Sequence, residues 1–161
     1  MTTASFTGKR LTRTYRQTIN AAPDTVFPLL CPVREAEWLD GWHYTMLWSQ
    51  SGLVEEGAVF STPGEGEEDT VWIVTRHDAT KRAIEFTRFT PGSRVCVLHI
   101  AVGPGTGGRS LVDIAYTYTG ITEAGNAFLD GITEESFLDA VTFWERSMNH
   151  WLATGNRLKR D

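Results

Sequence analysis

Apolar and polar residues alternate along most of the chain up to about position 120, then switch to a helical spacing. Leu11 to Asn20 mixes β-branched and aromatic residues in loose alternation and predicts a first strand. Pro23 then opens a short helix: proline suits a first helical turn, and Asp24 suits the positive end of the helix dipole. Cys31-Pro32 breaks that helix. Val33 to Leu39 predicts a second short one, ended by Asp40-Gly41. Trp42, Tyr44, Met46 and Trp48 then alternate with His43, Thr45, Leu47 and Ser49, and the bulkier set is expected to face inward. Ala58 to Thr62, Thr70 to Arg76, Arg82 to Phe89 and Arg94 to Val102 predict further strands, separated by turn residues such as Pro91-Gly92. Thr70 to Arg76 and Arg94 to Val102 are apolar on both faces, so their inward face stays open. Arg109 to Gly120 alternates most cleanly and places Val112, Ile114, Tyr116 and Tyr118 inward.

After Gly120 the period changes. Glu123 to Leu129 predicts one or two helical turns. Thr133 can cap a longer helix with Glu134 and Glu135 in its first turn. Phe137, Val141, Trp144, Met148 and Trp151 recur at spacings of three and four, one bulky stripe on that helix, which Gly155-Asn156 can end. Consecutive strands joined by short turns imply an antiparallel meander. The expected fold is therefore α+β, one domain over residues 1–161 with a curved antiparallel sheet of about six to seven strands. Two short helices follow the first strand, and the sheet wraps the long C-terminal helix. Such wrapping tends to leave space near one end.

Composition narrows the function. The net charge of −5 disfavours nucleic acid as a partner. The one basic cluster, Arg157, Lys159 and Arg160, is expected to serve the C-terminal end of the long helix. No apolar run approaches the ~18 residues of a membrane span, and Met1 to Arg10 lacks the apolar core of a secretory signal, so a cytoplasmic location is the expectation. Cys31 and Cys96 are expected to be free thiols. Six Trp, eight Phe and four Tyr suit the walls of a cavity or an aromatic core.

Three features resemble the START-like superfamily, also called SRPBCC or polyketide-cyclase-like. They are the string Ile19-Asn20-Ala21-Ala22-Pro23-Asp24-Thr25-Val26-Phe27, the Trp38/Trp42 segment and the closing helix. Leu30 to Trp38 looks like a bacterial branch of it. The resemblance covers nearly the whole chain and implies a helix-grip architecture with a cavity under the last helix. It implies no single activity, because members share a shell and differ in what lines it.

The expected ligand-binding residues are Tyr44, Trp48, Phe60, Phe86, Tyr116, Tyr118, Trp144 and Met148, with Arg88 to orient the ligand. Arg88 shares strand parity with Ile84 and Phe86, so it can point inward and hold an anion; as a surface arginine near a strand end it would do neither. His99 and Glu37 are the candidates for proton transfer. His99 shares the face of Val97, whereas the opposite face, Leu98, Ile100 and Val102, is more apolar. Glu35, Glu37, Trp38 and His43 cluster around the short helices, where Trp38 can instead plug the core. Nothing fixes Cys31 and His43 as a nucleophile and base. The four histidines lack ligand spacing, so no metal is expected, and no cofactor motif is present. The favoured function is binding of a small hydrophobic molecule, aromatic or acyl (a lipid included). The alternatives are a cyclase- or dehydratase-like enzyme on an aromatic or polyketide-type substrate, and a protein-interaction module resembling chaperone activators. A homodimer is left open.

Overall fold

The computed structural model describes residues 5–161; Met1 to Ala4, part of the segment read as carrying no secretory signal, lie outside the described residues. The strands are β1 (Arg10–Ile19), β2 (Thr45–Trp48), β3 (Val59–Thr62), β4 (Thr70–Asp78), β5 (Ala83–Thr90), β6 (Arg94–Pro104) and β7 (Ser110–Gly120). The helices are α1 (Pro23–Val26), α2 (Pro32–Trp38), α3 (Glu123–Asp130) and α4 (Glu134–Thr154). All seven strands form one antiparallel sheet in the order β1-β7-β6-β5-β4-β3-β2. The order follows the chain except at β1, which pairs with the last strand. No helix among the described residues is long and apolar enough to cross a membrane.

The long helix begins as its sequence dictates. The Thr133 side chain accepts from the Ser136 N–H at 3.0 Å, and the Ser136 hydroxyl accepts from the Thr133 N–H at 3.1 Å, a reciprocal cap. It ends at Gly155, whose φ of +75° closes the last turn in the left-handed region, where glycine carries no Cβ penalty. Phe137, Val141 and Met148 of its stripe are buried, and Trp144 and Trp151 are half-buried at its margin.

Helix α4 also protects a sheet edge. Thr18 N–H donates to Glu145 at 2.6 Å and Asn20 N–H donates to Asn149 Oδ1 at 2.8 Å, while Asn149 Nδ2 donates back to the Thr18 carbonyl at 3.0 Å. Helical side chains thus stand in for a missing neighbour of β1, where free backbone groups would invite pairing with another chain. Gln17, fully buried, donates from Nε2 to the Val141 carbonyl at 3.0 Å and ties strand to helix. At the far end α3 lies so close to the β5–β6 turn that a Cβ on Gly125 would stand 1.7 Å from the Ser93 carbonyl oxygen.

Two expectations need correction. Trp48 is not inward: it is 54% exposed. The ladder between β2 and β3 pairs Met46 with Phe60 but Trp48 with Val59, so Leu47 is an extra residue in a bulge. Phe60 points in, its neighbour Val59 points out, and Trp48 is carried out with Val59. The basic cluster does not serve the end of α4, whose last turn holds no basic residue. Lys159 and Arg160 turn instead to Asp40, after α2.

Candidate ligand cavity

Strand register assembles the site. One cross-strand row runs Met46–Phe60–Trp72–Arg88–Cys96–Tyr118 across β2 to β7, and the adjacent row runs Val74–Phe86–Leu98–Tyr116. Residues in register share a face, so these side chains lie on one side of the sheet, with Cys96 and Tyr118 packed against Leu129 of α3. On β6 the inward set is Cys96, Leu98, Ile100 and Val102, all buried. On β4 it is Trp72 and Val74, while Ile73 is outward.

Between this face and the helices lies a cavity of about 200 Å³. Its sheet wall is Phe60, Trp72, Phe86, Arg88, Leu98, Ile100 and Tyr116. Helix α4 contributes Ala140, Phe143 and Trp144, the α2 segment contributes Glu35, Trp38, Leu39 and Trp42, and Arg160 reaches in from the C-terminal end. The rings interlock: Phe60 stacks on Trp72 at 5.1 Å between centroids, and Phe86 meets Trp72 edge-on at 5.7 Å. Trp38 is fully buried and donates from Nε1 to the Leu29 carbonyl at 3.1 Å, so it is the plug between α1, α2 and the sheet. Trp144 has no such partner. Its indole Nε1 is shielded from solvent and unbonded.

Arg88 points inward. Its guanidinium carbon lies 4.9 Å from the Trp72 ring centre, 5.3 Å from Tyr116 and 5.8 Å from Tyr118. Its hydrogen bond to the Tyr118 hydroxyl is long at 3.4 Å, and the Cys96 side chain is a second neighbour of the guanidinium. Among the described residues it has no ion-pair partner. Burial works against its charge, and the charges that Cys96, Tyr118 and Tyr116 gain only on ionising act the other way and raise the pH at which it would lose its proton. Burial pushes the hydroxyls of Tyr116 and Tyr118 up, with Arg88 opposing, so both are neutral at ordinary pH.

The carboxyl in the cavity belongs to Glu35, not to Glu37, and His99 does not line it. Burial raises its carboxyl from 4.5 to about 8. No hydrogen bond or ion pair holds it among the described residues. Glu37, by contrast, is exposed and takes a short hydrogen bond from Arg34 Nε at 2.5 Å. The two glutamates lie two positions apart on α2, on different sides of it. His99 is on the outer face of the sheet, with Nδ1 3.6 Å from Glu85. His43 is exposed and Cys31 buried, and no hydrogen bond joins them among the described residues.

Five of the nine expected contact residues line the cavity: Phe60, Phe86, Arg88, Tyr116 and Trp144. Tyr118 stands behind Tyr116 in parallel contact at 5.9 Å. Tyr44 stacks on Trp42 at 6.4 Å instead of reaching the cavity, Met148 is sealed in the core, and Trp48 faces away. Sequence reasoning missed Trp72, Trp42 and Glu35 as wall residues. A signal for Glu35 was present: it lies three residues before Trp38 and four before Leu39, so it shares their helix face.

No protein-family model matches the chain, and no curated protein sequence matches it. Solved structures do. Norcoclaurine synthase from Thalictrum flavum, in complex with dopamine and hydroxybenzaldehyde, superposes with a TM-score of 0.67 at 12% identity, over 99% of this chain and 98% of that one. Major latex-like protein 151 from Panax ginseng gives 0.62 at 14% identity, over 88% and 96%. DynU16, from the dynemicin biosynthetic locus, gives 0.57 at 17% identity, over 94% of this chain and 49% of that one. These likenesses establish the START-like helix-grip fold, as the residue pattern led one to expect.

Proposed function

We propose that this helix-grip chain takes up one small aromatic molecule bearing an anionic group, with the ring among the aromatic walls and the anion on Arg88. Arg88 itself carries the reading. A guanidinium is charged at any ordinary pH, and this one is turned inward without a carboxylate partner. Cation–π contacts at about 0.5–2 kcal/mol each offset part of the cost of removing it from water. An anionic guest supplies the rest of what the site lacks.

Volume sets the size of the guest. An apolar cavity of about 150 Å³ holds benzene, so about 200 Å³ suits one substituted ring. A long acyl chain or a fused polyketide would require the helices to part. Norcoclaurine synthase, a structural neighbour of the same fold, is seen with dopamine and hydroxybenzaldehyde, both single-ring molecules. That supports the size class without assigning the ligand. The interaction-module reading loses ground for the same reason: the interior holds a walled cavity and not a collapsed core.

Titration of tryptophan fluorescence with substituted benzoates and with benzamides of the same shape tests the proposal. Benzoates should bind at least about tenfold more tightly than the amides, and Arg88→Met should erase the difference. Equal binding of acids and amides to both proteins would remove Arg88 as the anchor. No binding of either series would remove the cavity as a site.

A further inference from the structure

Resting on that reading, we propose that the cavity is also a proton-transfer site, in which Glu35 removes and returns a proton at the carbon beside the carbonyl of a small aryl keto acid whose developing enolate lies on Arg88. Glu35 and Arg88 line one cavity from opposite elements, α2 and β5. Tyr116 lies between their influences: its hydroxyl responds to the charges of both, and its ring is 5.3 Å from the guanidinium carbon. Neither group is paired with an opposite charge among the described residues. The Glu35 carboxyl has no internal partner and the guanidinium no counter-ion among the described residues, whereas the neighbouring Arg34 and Glu37 bond to each other on the exposed side of α2. Glu35 is half-buried and lines the cavity, so its carboxyl is open to a guest there.

The chemistry balances without a co-reactant. The Glu35 carboxylate takes the proton as the C–H bond breaks. That electron pair becomes the C=C bond of the enolate, and the carbonyl π pair moves to oxygen, where the cation of Arg88 meets it. Returning the proton to the same carbon restores the ketone. Cations aimed at a developing oxyanion act most strongly in a water-poor site. A base whose affinity for a proton lies near the operating pH transfers protons efficiently in both directions, and burial places Glu35 at about 8.

The groups facing Glu35 across the cavity are Arg88 from β5, Tyr116 from β7 and Arg160 from the C-terminal segment, while α4 presents Ala140, Phe143 and Trp144, none of which titrates. Ionisation of Glu35 therefore governs the pH profile. The exchange rate should rise with pH and level off above about 8.

The test uses phenylpyruvate in D2O, with loss of its benzylic CH2 signal followed by proton NMR and binding followed separately by tryptophan fluorescence. The wild-type chain should exchange the CH2 protons at least about tenfold faster than buffer at the same pH. Glu35→Gln should fall to the buffer rate while still binding phenylpyruvate, and Glu35→Asp should retain an intermediate rate. Binding without accelerated exchange would overturn the proton-transfer proposal and leave the carrier. Exchange by Glu35→Gln at the wild-type rate would overturn it as well. If benzoates bind but phenylpyruvate does not, the substrate class is wrong and the proposal falls. If neither binds, the binding reading falls with it.

Discussion

Arg88 and Glu35 are the two cavity residues whose charge the surroundings perturb in ways that give a measurable consequence. Replacing Arg88 with Met keeps a similar length and removes the unpaired charge. Such exchanges are often neutral or stabilising for the fold, so Arg88→Met should unfold at an equal or higher urea concentration. The same change should weaken an aromatic acid by about 1.5–3 kcal/mol, the range for hydrogen bonds to charged groups. For Glu35 the sign follows from burial. The folded chain holds its carboxyl at about 8 and the unfolded chain near 4.5. Between those values the unfolded state ionises and the folded state does not, so stability falls as pH rises through that window. Glu35→Gln has no such slope. Urea unfolding at about pH 5 and about pH 8 should therefore shift in favour of the variant, by on the order of a few kcal/mol. Parallel behaviour of the two proteins would mean that Glu35 ionises normally inside the fold.

Strands, helices and their order were legible because alternation and caps are local. The clean alternation of β7 put Tyr116 and Tyr118 inward, and the 3–4 spacing of Phe137 to Met148 placed the stripe of α4. What failed was facing where a bulge intervenes. Reading β2 as an unbroken strand turns Trp48 inward, and only the pairing of Trp48 with Val59 shows the slip. On β4 and β6 both faces are apolar, so Trp72 and Leu98 could be told from Ile73 and His99 only by their neighbours across the sheet. The same contrast predicts unequal tryptophans. Trp48→Ala should change stability by less than about 0.5 kcal/mol, whereas Trp38→Ala should cost about 3–5 kcal/mol through cavity formation and the bond lost to the Leu29 carbonyl. On α4, Thr133→Ala removes one half of the reciprocal cap and should cost about 1 kcal/mol. Thermal melts of the three variants check this order.

One part of the cavity wall comes from a stretch of chain that carries little regular structure. Beyond Gly155 the backbone crosses to α2, where Leu158 forms an isolated parallel bridge with Leu39. Arg160 N–H donates to Asp40 Oδ2 at 3.0 Å, and Lys159 Nζ lies 3.9 Å from Asp40 Oδ1. The Arg160 guanidinium sits 4.1 Å from the Phe143 ring centre and forms part of the cavity wall. This strap joins the end of α2 to α4 beside the cavity, and Asp40 is its fastening. The Arg160 N–H, helped by the charges of Lys159, Arg157 and Arg160, holds the Asp40 carboxyl below the usual carboxylate range. The fastening is therefore complete above the ordinary value and is lost as pH falls through the depressed one. Exposed ion pairs add little to global stability, so the expected consequence is for ligand release and not for the melting temperature. Deleting residues 156–161 should speed release of a bound aromatic acid in stopped-flow fluorescence, with little change in Tm. Asp40→Asn should do the same to a smaller degree, and wild-type release should quicken in acid while the deletion variant's own response to pH is weaker. Equal release rates in the full and shortened chains would place the exit elsewhere, on a path between α2 and the sheet that the strap does not cross.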